Sequence, residues 1–160
     1  MSEPEAESVD RAAADAESRR YPARPIVGVG GIVFVNLKVL LIRRRFEPLA
    51  GRWSIPGGAL ELGESLGQGL AREMFEETGL VVEVGPLVEL FDRVTRDAGG
   101  RVQFHYVLAD YLCRRIGGTL LAGSDVSDVA LADVEALAPF DLTEKTLEVI
   151  AAARRLAVSP

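Results

Sequence analysis

Residues Gly58–Leu80 read GALELGESLGQGLAREMFEETGL, and the glutamates near the end of that run decide how the chain is read. Ser65 is a ready N-cap and Gly79 a ready left-handed terminator, so the spacing predicts a helix between them. At about 100° per residue, Glu73 and Glu77 lie about 40° apart and Glu76 about 60° away on the other side. All three therefore project from one helical face. On this reading Gly67, Ala71, Met74, Phe75 and Thr78 face a sheet, while Leu66, Gly69, Glu73, Glu76 and Glu77 share the opposite side. A glycine inside a helix costs about 1 kcal/mol against alanine, so Gly67 and Gly69 both need a reason. Gly69 stands one turn before Glu73, where a missing side chain leaves room for a ligand.

The three carboxylates by themselves admit two readings. On a solvated helix face, like charges four residues apart repel by only about 0.2–0.5 kcal/mol, so such a patch is cheap and common. Enclosed in a cleft, charges about 6 Å apart repel by about 3 kcal/mol per pair at an effective dielectric of about 20. Enclosure would raise a carboxylate pKa or recruit a cation, and oxygen-only donors suit Mg²⁺ or Mn²⁺ rather than zinc.

Working outward, the 160 residues fit one ordinary domain, and 48% hydrophobic with 26% charged residues is a globular composition. The absence of a long apolar run or a signal pattern leads to the expectation of a cytoplasmic protein with no membrane partner. The single cysteine, Cys113, has no pairing partner and reads as a small buried apolar residue. Residues 1–24 hold few large apolar side chains and are expected to be a flexible acidic, alanine-rich tail with at most a short helix over Arg11–Ser18. The domain proper is expected over 25–160. Of the net charge of −6, the stretch 58–80 carries five glutamates against Arg72, as much as the whole remainder after residue 24. Acid concentrated in this way excludes direct nucleic-acid binding unless a divalent cation intervenes.

From Pro25 the runs IVGVGGIVFV and KVLLI flank Asn36–Leu37 and predict a two-faced buried hairpin. Trp53–Pro56 is a short extended piece before Gly57 and Gly58. Strands follow over Val81–Val84, Leu87–Val94 and Val102–Cys113, with a turn at Asp97–Gly100 and a further short strand near Val126–Leu131. Residues Leu142–Leu156 predict a closing helix. Strands before, between and after two helices make an α/β fold with a mixed β-sheet between helices.

The full spacing is Gly58, five residues, Glu64, seven residues, then Arg72-Glu73-Met74-Phe75-Glu76-Glu77-Thr78-Gly79-Leu80. It resembles the Nudix box, GX5EX7REUXEEXGU, at every specified position, and a chance match is on the order of one in a million at ordinary residue frequencies. The resemblance implies a Nudix-type α/β/α sandwich and Mg²⁺-dependent hydrolysis of a nucleoside diphosphate linked to another moiety. It further implies metal ligands among Gly57, Glu64, Glu73, Glu76 and Glu77, and catalytic roles for Arg72, Glu73 and Glu76. Gly57 would offer its carbonyl, Glu64 would hold a second metal or a metal-bound water, and Arg72 would orient a glutamate. The general base is Glu73, Asp125 or Asp128.

Arg43, Arg44 and Arg45 sit beside the glycine loop, either to bind phosphate or as solvated side chains. Trp53 stands either in the core or stacked on a base, and His105, inside VQFHYVL, reads as structural. The longer substrate signatures of the family are not found. ADP-ribose or a nucleotide sugar is the favoured substrate, ahead of a damaged nucleoside triphosphate; a non-catalytic nucleotide sensor, an acidic interaction module and a possible homodimer complete the expectations.

Overall fold

The computed structural model describes residues 2–158; Met1 of the expected tail and residues 159–160 of the expected domain lie outside them. Helix α1 (Glu3–Ser18) precedes β1 (Ile26–Val35), β2 (Lys38–Arg44), β3 (Trp53–Ser54) and β4 (Gly57–Ala59). Helix α2 (Leu66–Thr78) is followed by β5 (Leu80–Arg96), β6 (Val102–Gly118), β7 (Val126–Asp133), a 3-10 turn and α3 (Glu144–Val158).

The β1–β2 hairpin turns on Asn36 and Leu37, both at positive φ, as a tight hairpin between twisted strands requires. Strand β1 pairs parallel with β6 from Ile26↔Tyr106 to Val33↔Cys113, and antiparallel with β4 and β2. That single parallel pairing makes the sheet mixed. Its order runs β3-β2-β1-β6-β5, with β4 on β1 and β7 on β2. The two segments expected before the Asp97 turn are one strand, β5, with a register shift between Val84 and Leu87. Pro86 has no amide hydrogen to donate, and a bulge absorbs the defect without ending the strand.

Strand alternation sends side chains to two separate cores. Val29, Val33 and Leu40 meet Leu70 and Met74 of α2, whereas Ile32, Val39 and Leu41 meet Val149, Ile150 and Ala153 of α3. The result is an α/β/α sandwich. Cys113 lies buried in the first core, and burial pushes its thiol up to about 12.

Two expectations require correction. The segment expected as a tail is helical over Glu3–Ser18, because Ser2 and Glu5 form a capping box and Arg19 and Arg20 pair with Asp15 and Glu17 near the helix end. None of its residues is buried. The faces of α2 are also rotated from those expected: Gly67 borders open space and Phe75 is 58% exposed, while Leu70, Glu73, Met74 and Glu77 are buried. The carboxylates thus share the inward side with the apolar residues.

Both ends of α2 stand where the sequence places them. Ser65 Oγ accepts from the Gln68 amide at 3.2 Å, and Gly79, at φ 70°, donates to the Phe75 carbonyl at 2.8 Å. A side chain at Gly79 would overlap the Thr119 carbonyl as well as straining the left-handed backbone. Gly79→Ala is therefore expected to destabilise the fold by at least about 1–2 kcal/mol, read as a lower denaturation midpoint at unchanged m-value.

Candidate active site

The site is built where α2 leans on β4. Helix periodicity puts Glu73 and Glu77 one turn apart, and the glycines of β4 let backbone approach them. A Cβ at Gly58 would overlap the Glu73 carboxylate, and one at Gly57 would overlap the Val29 carbonyl. The Gly57 amide donates to Glu77 Oε2 at 2.8 Å. Both carboxylates are buried, at 6% and 4% exposure.

A third acid arrives from the chain after β6. The Leu121 and Gly123 amides donate to the carbonyls of Thr78 and Glu77, each at 2.9 Å, satisfying the open C-terminus of α2. That docking brings Asp125 across the helix, and one oxygen each from Glu73, Glu77 and Asp125 falls within 4.8 Å of the others. Gly123 is needed for the approach, since a Cβ there would overlap the Glu76 carbonyl. Asp125 enters the sequence reading only as one candidate base; the signal for its place is the Gly123 docking turn two residues earlier.

Arg72 braces the cluster from the side. Its Nε and Nη2 meet the two oxygens of Glu64 at 2.6 and 3.0 Å, while Nη1 meets Glu73 at 2.8 Å and Glu76 at 3.2 Å. Nη2 also donates to the Ala59 carbonyl at 3.1 Å. The planar fork thus ties the loop, β4 and α2 together, which an ammonium could not do. The Arg72 guanidinium, with the Glu61 amide, holds the Glu64 carboxyl down at about 2.

The expected residues are only partly brought together. Glu73 and Glu77 join the cluster, but Glu64 is turned onto Arg72, and Glu76 is exposed on the cleft rim. Gly57 meets Glu77 through its amide. Arg44 lines the cleft; Arg45 also lines it, its guanidinium donating to the Val126 carbonyl at 3.1 Å. Arg43 lines neither this cleft nor its neighbouring slot and donates to the Gly51 carbonyl at 2.9 Å, because alternation turns it away from Arg44. Trp53 packs edge-on against Phe140 at 5.2 Å, a core position, instead of standing over a ligand space. The room at Gly69 is taken by Leu60 and Glu64 and not left for a ligand. Asp128 is exposed on β7, outside the cluster.

A second cavity opens beyond β4, between the sheet and the start of α3, with Phe91, Tyr106, Leu108, Asp110 and Lys145 in its wall. Burial lifts the Asp110 carboxyl to about 6. The slot and the carboxylate cleft share Arg19, Arg44 and Gly57–Ala59 as common lining, so they are continuous.

A sequence model of the NUDIX domain matches residues 24–153, and the chain belongs to this family. It is 34% identical over 123 residues to an ADP-ribose pyrophosphatase of Methanocaldococcus jannaschii, covering 77% of this chain and 70% of that protein. Its fold matches a MutT NUDIX hydrolase from Burkholderia pseudomallei at a TM-score of 0.70 and 27% identity, covering 81% of this chain and 98% of that one. An ADP-ribose pyrophosphatase from Streptococcus suis matches at 0.66 and 25% identity, over 85% and 94% of the two chains. The protein is a hydrolase of pyrophosphate bonds. Among the described residues no helix is long and apolar enough to cross a membrane.

Burial pushes the Glu73 carboxyl up to about 7 and, with Asp125 alongside, the Glu77 carboxyl well above its ordinary value. Carboxyls raised above their unfolded values cost stability when ionised, and that cost disappears as pH falls toward the unfolded value near 4.5. In EDTA the melting temperature is therefore expected to rise between about pH 7.5 and about pH 5.5, and to rise less with saturating Mg²⁺. A flat or falling profile in EDTA would contradict this. The depressed Glu64 loses its contribution only at lower pH, outside that window.

Proposed function

We propose that this protein hydrolyses the diphosphate of an ADP-ribose or nucleotide-sugar type substrate in a Mg²⁺-dependent reaction. The observation that carries the reading is the Glu73–Glu77–Asp125 cluster, its two glutamates buried, in the wall of a cleft that adjoins a slot of about 100 Å³ across Gly57–Ala59. The donor set fits the cation: three carboxylates, two of them buried and raised in pKa, with no sulfur or imidazole among them. Glu73, Glu77 and Asp125 would hold it. The bound ion supplies charge neutralisation of the diphosphate and acidification of the attacking water.

The remaining tasks fall to the chain's own side chains. Arg72 keeps Glu73 oriented while drawing the Glu64 loop against the helix. Glu76, on the open rim beside the cluster, is the carboxylate left to take the proton from water attacking phosphorus. Arg44, at the junction of cleft and slot, faces the phosphate, and the slot receives the second moiety. The M. jannaschii and S. suis proteins, both called ADP-ribose pyrophosphatases, support this substrate class.

The test is release of AMP or phosphate from ADP-ribose, nucleotide sugars, coenzyme-type dinucleotides and oxidised nucleoside triphosphates, with Mg²⁺ and with EDTA. AMP from ADP-ribose in Mg²⁺ alone is expected. Faster turnover of oxidised triphosphates would replace the substrate, and binding without turnover would make the protein a sensor. Glu77→Gln is expected to lower kcat by roughly 10²–10⁴-fold without loss of fold, since it removes the charge while its carbonyl oxygen can still accept from the Gly57 amide. Near-normal turnover in that variant would remove the metal assignment. Glu76→Gln is expected to lower kcat by roughly 10²–10⁴-fold while leaving Mg²⁺ affinity unchanged.

A further inference from the structure

Among the described residues, Arg19 is the one side chain from outside the family match at residues 24–153 that lines both the carboxylate cleft and the slot. It does not reach that place by chance of a loose helix. The two residues after it are pinned to the far end of β5–β6. The Tyr21 amide donates to the Gln103 carbonyl at 2.8 Å, and the Tyr21 hydroxyl meets Asp97 Oδ2 at 2.8 Å. Arg101 stacks on the Tyr21 ring at 4.1 Å, and Arg20 lies over Phe104 at 5.3 Å. Tyr21 takes a positive φ of 52° to make this dock, a conformation a bulky residue adopts only when its surroundings hold it.

The floor under the junction is Gly57–Ala59, which offers backbone and no charge. Across it stand two arginines, Arg44 from β2 and Arg19 from the N-terminal arm. Asp15 pairs with the Arg19 guanidinium from one side and the Tyr106 hydroxyl touches it from another, so its plane is fixed while its side chain stays 26% exposed. A guanidinium carries five donors, and two partners leave others for a ligand. The cleft beside it is crowded with carboxylates, so an anion crossing the junction beyond the cation's reach needs a compensating charge there.

We propose that Arg19 is a substrate-binding residue that contacts the diphosphate where it leaves the carboxylate cleft for the slot, and that the Tyr21 anchor sets its position. The inference rests on the function proposed above. It makes the N-terminal arm part of the binding site, selecting substrates whose diphosphate continues into a second group over those ending in a free phosphate.

The experiment is steady-state hydrolysis of ADP-ribose in Mg²⁺ by the full chain and its point variants, with melting temperature recorded for each. Arg19→Ala is expected to raise KM roughly tenfold to a hundredfold, the weight of a charge-assisted hydrogen bond, with kcat nearly unchanged and the fold intact. Arg19→Lys should recover only part of the loss, because an ammonium lacks the fork. Tyr21→Ala should raise KM as well, although Tyr21 lines neither cavity, and the double variant should be no worse than Arg19→Ala alone. An unchanged KM in Arg19→Ala, or additive effects in the double variant, would overturn the inference while leaving the hydrolase reading standing. No turnover of any nucleotide by the unaltered protein would overturn both.

Discussion

Everything at the site depends on two glutamates being buried while Arg72, which pairs with Glu73, is shared with Glu64 and Glu76. Glu73 and Glu77 sit in a seam that Gly57 and Gly58 keep narrow, where a Cβ on either glycine would overlap backbone or carboxylate. Burial strips them of water, and the Gly57 amide and one arm of Arg72 return only part of that solvation. The fold holds this cost because the rest of α2 is anchored by Leu70 and Met74 in the apolar core and by caps at both ends. A bound cation would relieve the same strain that burial creates. In that sense the clustering of acid is a property of the sandwich and not of the helix alone.

Arg72 explains why the loop before α2 belongs to the motif. Glu64 is eight residues from Arg72 in sequence, and its two-pronged pair closes the loop over the helix start. Its own carboxyl is thereby held in the frame of the site, both oxygens on Arg72. The third acid of the cluster is Asp125, carried by a turn whose amides complete the C-terminus of α2. One helix end is therefore capped, and one acid of the cluster delivered, by the same few hydrogen bonds.

Much of this was legible in the linear chain. The extent of α2 followed from Ser65 and Gly79, the first hairpin from Asn36 and Leu37, and the layering from strand alternation, because each is a local rule. What local rules could not supply was which side of α2 turned inward. Glutamates default to the wet face, and Phe75 to the dry one; tertiary contact with β4 reversed both. Asp125 escaped for a related reason, since its approach depends on a loop docking onto a helix end about fifty residues earlier in the chain. Trp53 and Arg43 each admitted two readings by residue type; packing against Phe140 puts Trp53 in the core, and strand alternation turns Arg43 away from the cleft.

The N-terminal arm shows the same limit from the other side. Its composition carries too little apolar surface to fold alone, and no residue of α1 is buried. Yet the arm does not need a core of its own, because Tyr21, Arg20 and their partners on β5–β6 form a polar and aromatic joint that composition does not register. A segment held at such a joint reaches the site although no residue of its helix is buried: Ser8, Val9, Ala12 and Ala16 of α1 line the carboxylate cleft beside Arg19. On the proposed reading, substrate choice in this chain depends on two kinds of scaffold: the buried acidic seam between α2 and β4, and a cationic side chain brought to its edge by an arm lying outside the family match.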